Sequence, residues 1–546
     1  MTTTRQDVGF SIDDVCPTTT SAALRAPATL VPDNEYVVHD GKRHSFAETQ
    51  RDVDRLRAAL AAHGVRHGDR VGICVSNRYE WVVQFLAVTT LGAIAVPMNT
   101  RYRVEDLAYC LRHSGVALLF LETHVLTNDL LATVRAIVPE IDGALPGPAA
   151  PDLRTVVVLG TDDVPDGAVT WARFLGEVAP PVTPGCSPDD PALIQYTSGT
   201  TSRPKGVLLS HRSICGNAFV SGVRLGLRPG DRLHSARPFF HVAGSTQSVL
   251  ACLQHGTTLV TMTRFEGPAA LRLIEKERCT HISGNDTMVQ MLLAEQQRQP
   301  RNLQLRGGWL PVSKSTLGAV IDELGARESV VAYGLSEAAP NVTLSAWWEP
   351  EEVRRTTSAP PQPGVEVQVR GPDGAVVPDG QVGEIYVRGW NVMLGYWRDH
   401  EASAAAIDDD RWLATGDLGS LVRGRLTFHG RLKDIIRVGG ENVSPSEVED
   451  VIKSHPRVRQ ACVVSIPDSR LVEVVCAFVE PAHGVDESTL SDEVIAWCRE
   501  RVAGFKVPRH VIVVDSIQSL GVTESAKVRR QDAREVAMRQ LGLVLS

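Results

Sequence analysis

Short apolar segments alternate with amphipathic segments through the first half of the chain, and this alternation limits the folds available to it. The predicted elements follow each other as helix 45–64, strand 70–75, helix 81–91, strand 93–97, helix 104–113 and strand 116–120. Strands that alternate with helices form βαβ units around a mostly parallel sheet. We therefore expect an α/β fold for the large N-terminal part of the chain.

The pattern of apolar and polar residues changes twice further along the chain. Segments 365–369 and 383–387 alternate apolar and polar residues between Gly and Pro turns, which predicts a small β subdomain. Beyond residue 430 the pattern predicts a separate α+β domain of about 110 residues. A chain of 546 residues is also too long for one small domain.

Composition excludes several classes of protein. There are 56 Lys and Arg residues against 64 Asp and Glu residues, a net charge of −8, which gives no general reason to bind nucleic acid or an anionic membrane. The ten cysteines form no CxxC pair, so we expect reduced thiols rather than a zinc or redox site. No signal peptide or membrane-spanning run is visible, and we expect a cytoplasmic location.

The segment YTSGTTSRPKG at 196–206 has the composition of a phosphate-binding loop. Its hydroxyls and glycines let side-chain and backbone donors approach phosphate oxygens, and Lys205 adds a positive charge. The lysine is not followed by Ser or Thr, so the segment is not the nucleotide-binding P-loop.

Further motifs follow in a defined order: YGLSE at 333–337, TGD at 415–417, GRLKD at 430–434, GGENVSP at 439–445, FKVP at 505–508 and Lys527. Together with the 196–206 segment they resemble the adenylate-forming superfamily, which contains acyl- and aryl-CoA ligases, adenylation domains and luciferase. The resemblance implies an N-terminal adenylation domain at 1–430, a hinge at 431–436 and a small mobile α+β lid domain at 437–546.

The resemblance also implies roles for individual residues. The ATP-binding residues would be Thr197, Ser198, Gly199, Thr200, Thr201, Lys205, Tyr333, Gly334, Ser336, Asp417 and Arg431. Mg²⁺ would be held by Glu337 and Thr200, and a thiol would approach a loop containing Gly439 and Gly440. The acid pocket would contain Phe240, Gly244, Asp286, Lys314 and Ala338, and the catalytic residues would be Lys527, His241 and Lys433.

Lys527 is the residue expected to carry adenylation. A carboxylate must approach the α-phosphorus of ATP, and a cation between the two anions stabilises the charge that develops. The local match is imperfect, because Ala526 stands where Gly is usual and Gly521 lies near the place of a usual Pro. Lys433 stands at the hinge position, where rotation would exchange Lys527 for the glycine loop.

Three segments depart from the family pattern. Ser202 replaces a Gly, the segment PVSK at 311–314 occupies the place of a GGAP-like motif, and NDT at 285–287 replaces a small-Pro-Thr segment. Asp286 and Lys314 therefore bring opposite charges toward the expected acid pocket. They could face solvent, pair with each other, or bind a polar or charged substrate.

The leading hypothesis is an ATP-dependent ligase that converts a small polar or aromatic acid to acyl-AMP and pyrophosphate, then passes the acyl group to a thiol. The segment FFHVAG at 239–244 lacks the Asp of amino-acid-activating relatives. The thiol would be CoA or a separate carrier protein, and a homodimer stays open. One alternative is a diazotase-like enzyme that adenylates nitrite for attack by an aromatic amine. Another is a non-catalytic nucleotide-binding protein.

Overall fold

The computed structural model of the chain describes residues 11–161, 163–176, 180–197, 203–439, 441–468, 470–482, 484–485, 487–521 and 528–543. Two large sheets, one β subdomain and one C-terminal sheet form the framework of these residues. A search of the same residues finds no helix long and apolar enough to cross a membrane.

The first large sheet has eight strands within the described ranges. Their spatial order is Gly395–Tyr396, Lys205–Ser210, Pro191–Thr197, Ile94–Pro97, Arg70–Cys74, Val116–Glu122, Thr155–Leu159 and Ala168–Thr170. The central strands run parallel, as the βαβ pattern predicts, and Lys205–Ser210 runs antiparallel to both of its neighbours.

The second large sheet has six strands in the described part of the chain. Their order is Gly307–Trp309, His281–Ser283, Arg232–Ser235, Thr258–Thr261, Glu35–His39 and Lys42–Ser45. All neighbours are parallel except the edge hairpin that begins at Glu35. Ligands in such sheets bind beyond the carboxyl ends of the strands, so this edge is where a site is expected.

The predicted β subdomain is an antiparallel sheet of Val365–Arg370, Gly383–Gly389, Leu413–Val422 and Arg425–Arg431. The C-terminal sheet contains Glu441–Val443, Ile436–Val438, Val472–Pro481, Val458–Asp468 and His510–Val513. Two short hairpins complete the strands: Ala332–Gly334 with Asn341–Leu344, and His124–Val125 with Asn128–Asp129.

Helices cover the faces of these sheets. The α-helices of the described residues are Ile12–Val15, Thr20–Leu30, Phe46–Ala62, Tyr79–Leu91, Val104–Ser114, Leu130–Ile137, Trp171–Gly176, His211–Leu225, Val242–Gly244, Ala251–Gln254, Gly267–Lys276, Asp286–Arg298, Lys314–Glu323, Glu351–Arg354, His400–Ala406, Pro445–Lys453, Leu490–Arg499 and Arg530–Gln540. A π-helical turn, Ser245–Leu250, joins two of the short helices.

One large apolar core joins the two sheets. Trp81, Phe85 and Phe239 are fully buried, and the ring of Trp81 lies 5.2 Å from the ring of Phe239. Trp81 lies on a helix of the first sheet, whereas Phe239 belongs to the segment that leaves the second sheet after Ser235. The core therefore holds the segment 236–241 in place at the carboxyl edge of the second sheet.

Two histidines buried in this framework predict a stability that falls in acid. His211 and His234 are 0% and 1% exposed, and burial lowers the pKa of each to about 4. An unfolded histidine titrates near pH 6.5, so the unfolded chain takes up protons first as the pH falls. The stability gained from the neutral rings is therefore complete above about pH 6.5 and is lost toward pH 4.

We expect the melting temperature to be lower at pH 5 than at pH 7.5, with about 2 kcal/mol lost per buried histidine. His211→Gln should reduce this pH dependence, measured by thermal unfolding across the pH range. His124→Gln, whose side chain is 65% exposed, is the control and should leave the slope unchanged. An identical slope in His211→Gln and the unmodified chain would contradict the assignment.

Candidate active site

The first cluster of predicted site residues surrounds Tyr333. The Tyr333 hydroxyl donates a hydrogen bond to Oδ2 of Asp417 at 2.9 Å, and its ring stacks on Phe428 with 5.4 Å between centroids. Burial raises the pKa of Tyr333 well above its usual range, so the phenol remains a donor. An aromatic face beside a buried carboxylate suits a base and a ribose.

Strand pairing places Arg431 next to this cluster. Asp417 and Arg431 are register partners in the β subdomain, and Nε of Arg431 lies 3.7 Å from Oδ1 of Asp417. The Arg431 side chain is 53% exposed, so the ion pair itself adds little stability. Its guanidinium therefore remains available to an anionic ligand.

The second cluster brings Glu337 and Lys205 to one tyrosine. Tyr396 donates its hydroxyl hydrogen bond to Oε1 of Glu337 at 3.0 Å, and Nζ of Lys205 lies 4.7 Å from the centroid of the Tyr396 ring. The antiparallel pairing of Val207 with Tyr396 explains this proximity. A carboxylate and an ammonium beside one phenol suit a magnesium-bound phosphate chain.

The loop 334–341 connects the two clusters. Ser336 lies in a short 3₁₀ turn with Glu337, and Ala338 is buried at its end. Gly334 has no room for a side chain, because a Cβ there would lie 2.1 Å from the carbonyl oxygen of Pro340. Any other residue would displace the loop that carries Glu337.

Buried amides hold this loop. Nδ2 of Asn217 donates to the carbonyl oxygens of Ala338 and Asn341 at 3.1 and 2.9 Å. Gln247, on the π-helical turn, donates to Oδ1 of Asn217 at 2.7 Å. The π-helical turn and the loop are thus parts of one hydrogen-bonded unit.

His241 is the N-cap residue of the short helix Val242–Gly244, which leads into the π-helical turn. Gln195, from the strand that ends at Thr197, donates to the carbonyl oxygen of Phe240 at 2.9 Å. Gly244 packs so closely that a Cβ would lie 2.1 Å from the carbonyl oxygen of Pro238. The segment 239–244 is therefore fixed beside the strand that leads into the predicted phosphate loop.

Asp286 and Lys314 do not form the ion pair that the sequence left open. The carboxylate of Asp286 accepts hydrogen bonds from the backbone N–H and the hydroxyl of Ser313 at 3.2 Å, and Lys314 is exposed. Burial alone would lower the pKa of Lys453. The negative charges of Asp286 and Asp450 outweigh this effect, and the pKa of Lys453 is raised. Asp286 therefore faces the C-terminal part of the chain.

The remaining predicted residues lie in the C-terminal part or outside the described residues. Lys433 is exposed on the single turn Leu432–Asp434, and Gly439 has φ +58° in the turn after Ile436–Val438. Outside the described residues lie Ser198, Gly199, Thr200, Thr201, Ser202, Gly440 and Lys527.

Sequence reasoning missed four side chains that shape the site: Phe428, Tyr396, Asn217 and Gln247. None belongs to a quoted motif. A sequence signal could have found Tyr396. An edge strand predicted at 395–396 would have paired this aromatic residue with the strand that begins at Lys205.

Comparisons with known proteins identify the family of the chain. The model of the AMP-binding enzyme family matches residues 24–397, and the model of the AMP-binding enzyme C-terminal domain matches residues 447–527. The chain is 33% identical over 559 residues to the mitochondrial medium-chain acyl-CoA ligase ACSF2 of Danio rerio, an alignment that covers 98% of this chain and 91% of that relative.

Solved structures show the same fold. The anthranilate CoA ligase AuaEII, in complex with anthranoyl-AMP, superposes with a TM-score of 0.87 at 24% identity, covering 98% of this chain and 100% of that one. The o-succinylbenzoate CoA synthetase MenE of Bacillus subtilis, in complex with OSB-AMP, gives 0.75 at 29% identity, covering 93% and 97%. The chain therefore belongs to the AMP-binding enzyme family and is an AMP-forming ligase of the adenylate-forming superfamily.

Proposed function

We propose that this ligase activates a small polar or aromatic carboxylic acid with ATP and then transfers the acyl group to the thiol of CoA. The observation that carries the proposal is the loop 334–341, which links the Tyr333–Asp417 cluster to the Glu337–Tyr396–Lys205 cluster. One cluster suits the nucleoside of ATP and the other suits its phosphates.

Each residue has a role in the proposed first step. The ring of Tyr333 would lie against the adenine. Asp417 would accept hydrogen bonds from the ribose hydroxyls, because its buried carboxylate lies at the hydroxyl end of the Tyr333 ring. Lys205 would bind phosphate oxygens, and Ser336 would donate to the α-phosphate. The acid would enter beside His241, where its oxygen faces the α-phosphorus.

The donor set near Glu337 fits Mg²⁺, which binds proteins through one or two carboxylates and completes its shell with phosphate oxygens. When bound, the ion neutralises charge on the phosphates of ATP. Among the described residues no group of three or more His, Cys, Asp or Glu side chains could hold a metal. A single carboxylate at Glu337 is suited to an ion that arrives with the nucleotide.

The second step requires the thiol to replace Lys527 at the reacting centre. We propose that residues 431–436 act as the hinge and that residues 437–546 rotate as a lid. Positive φ at Gly439 and the exposed turn at Lys433 support this, since hinges absorb large backbone changes. The Asp286–Lys453 attraction would have to be broken on rotation.

The names of the relatives cover both aliphatic and aromatic acids. ACSF2 is a medium-chain acyl-CoA ligase, while AuaEII and MenE act on anthranilate and o-succinylbenzoate. Relatives that form CoA thioesters favour CoA over a carrier protein as the acceptor. A separate carrier protein, a homodimer and a cytoplasmic location stay predictions.

A substrate panel tests the proposal. Pyrophosphate release should require an acid, with the fastest turnover among aryl and short polar acids, and mass spectrometry should find a CoA thioester. Nitrite with an aminobenzoate is included as a further arm. Release that occurs with nitrite and the amine, but with none of the acids, would overturn the proposal.

Asp417→Asn should raise the KM for ATP by about ten- to a hundredfold, because a hydrogen bond to a charged group contributes about 1.5–3 kcal/mol. Steady-state pyrophosphate release at varied ATP measures this. Asp373→Asn, in an exposed turn of the same subdomain, is the matched control. An unchanged KM in Asp417→Asn would remove Asp417 from the nucleotide site.

Lys527→Ala should slow pyrophosphate release by about a hundredfold or more, the typical loss when one group that stabilises developing charge is removed. Thioester formation from pre-formed acyl-AMP and CoA should persist, because Lys527 would act only in the first step. Lys276→Ala, an exposed lysine on Gly267–Lys276, serves as the control. Equal losses of rate in pyrophosphate release and in thioester formation would contradict a role for Lys527 in the first step alone.

A further inference from the structure

Three neighbouring strands of the second large sheet end in side chains that carry a hydrogen-bond donor. Ser235, Ser283 and Trp309 are register partners across the parallel strands Arg232–Ser235, His281–Ser283 and Gly307–Trp309. Partners in a parallel ladder point to the same face of the sheet. These three side chains therefore lie side by side at the carboxyl edge, where ligands of such sheets bind.

Arg237 reaches this row from the segment that follows Ser235. Its guanidinium carbon lies 4.8 Å from the centroid of the Trp309 ring. Asn77 holds the backbone of the segment, since it donates to the carbonyl oxygen of Arg237 at 2.9 Å and accepts from the N–H of Phe239 at 2.8 Å. The arginine is thus held by both sheets.

The guanidinium of Arg237 lacks a counter-charge. Its Nη1 is buried without a hydrogen-bond partner, and no ion pair joins Arg237 to a carboxylate within the described ranges. Burial lowers its pKa to about 10, so the side chain is still cationic at neutral pH. Arg237 as a whole is half-buried, but a charged nitrogen that is removed from water without a partner is costly.

Two other largely enclosed arginines have partners for their guanidinium groups. Nη1 of Arg354 donates to the carbonyl oxygens of Arg327 and Ser329 at 2.6 and 2.7 Å. Arg306 forms ion pairs with Asp231 and Glu328. Nη1 of Arg237 has neither a carbonyl nor a carboxylate partner of this kind.

Two further groups of this row and one of the π-helical turn also lack hydrogen-bond partners. Nε1 of Trp309, Oγ of Ser283 and Oγ1 of Thr246 are buried without hydrogen bonds. Thr246 belongs to the π-helical turn that follows His241, and Ser248 of the same turn lies 2.7 Å from the Ser235 hydroxyl. The indole N–H and the guanidinium can only donate and the Ser283 hydroxyl can also donate, so the group that would satisfy them is an acceptor with negative charge.

We propose that Arg237, Trp309 and Ser283 form a subsite for a second anionic group on the acid substrate. The ligase would then prefer acids that carry a carboxylate or another anionic substituent at the end remote from the reacting carboxylate. The subsite adjoins the acid site, because Arg237 shares the segment 236–241 with Phe240 and His241. This inference rests on the proposed function.

The experiment compares matched acids that differ only in the remote group: terephthalate with 4-methylbenzoate, and adipate with hexanoate. In the unmodified enzyme, kcat/KM for the better diacid should exceed that of its monoacid partner by about tenfold or more. Arg237→Met should lower the diacid value by about ten- to a hundredfold, mainly through KM, and leave the monoacid value nearly unchanged.

Controls separate charge from packing. Arg237→Lys retains the charge but not the planar fork, so an intermediate loss for the diacid is expected. Trp309→Phe removes one donor and should weaken diacid binding only. Arg228→Met, at a side chain that is 71% exposed, should leave kcat/KM unchanged for both acids. Thermal unfolding and ATP binding verify that each variant is folded.

The outcomes are distinguishable. If no acid releases pyrophosphate from the unmodified enzyme, the proposed function fails. If acids react but diacids are not preferred, the subsite inference fails alone. If Arg237→Met lowers kcat/KM equally for the diacid and the monoacid, Arg237 binds the reacting carboxylate and the inference is overturned. Arg237→Lys is used for the same comparison if the methionine variant does not fold.

Discussion

The position of the loop 334–341 depends on buried amide side chains. The carbonyl oxygen of Asn341 accepts hydrogen bonds from Asn217, Gln362 and Asn391 at 2.9, 3.0 and 3.2 Å. Each of these amides would be costly to leave unsatisfied in the interior, so the network has one arrangement that satisfies most of its donors. Tyr333 directly precedes the loop and Glu337 lies within it, so the position of both clusters depends on the loop.

The amide network also connects the nucleotide clusters to the acid site. Gln247 contributes to it from the π-helical turn, and that turn begins just after the segment containing His241. π-helical turns are strained insertions that occur often at functional sites. Here the turn brings an amide to the loop on one side and Ser248 to Ser235 on the other. The loop and the acid site cannot shift independently.

Local signals predicted the elements well and the site less well. The helix Phe46–Ala62 matches its predicted range because Ser45 and Glu48 form a capping box that is visible within a few residues. The contact of Tyr333 with Asp417 joins residues 84 apart and depends on a strand register that is interrupted after Leu418. No periodicity encodes that register, so only the quoted motifs indicated that these two residues belong together.

The charged positions near the acid site show why burial, rather than departure from a pattern, identifies a binding group. The sequence drew attention to Asp286 and Lys314 because they replace usual family residues. Lys314 is exposed and Asp286 is satisfied by Ser313, so neither demands a ligand. Arg237 attracted no attention in the sequence, yet Nη1 of its guanidinium is buried without a hydrogen-bond partner. Since desolvation is costly only when a partner is missing, the polarity of the substrate is better argued from Arg237.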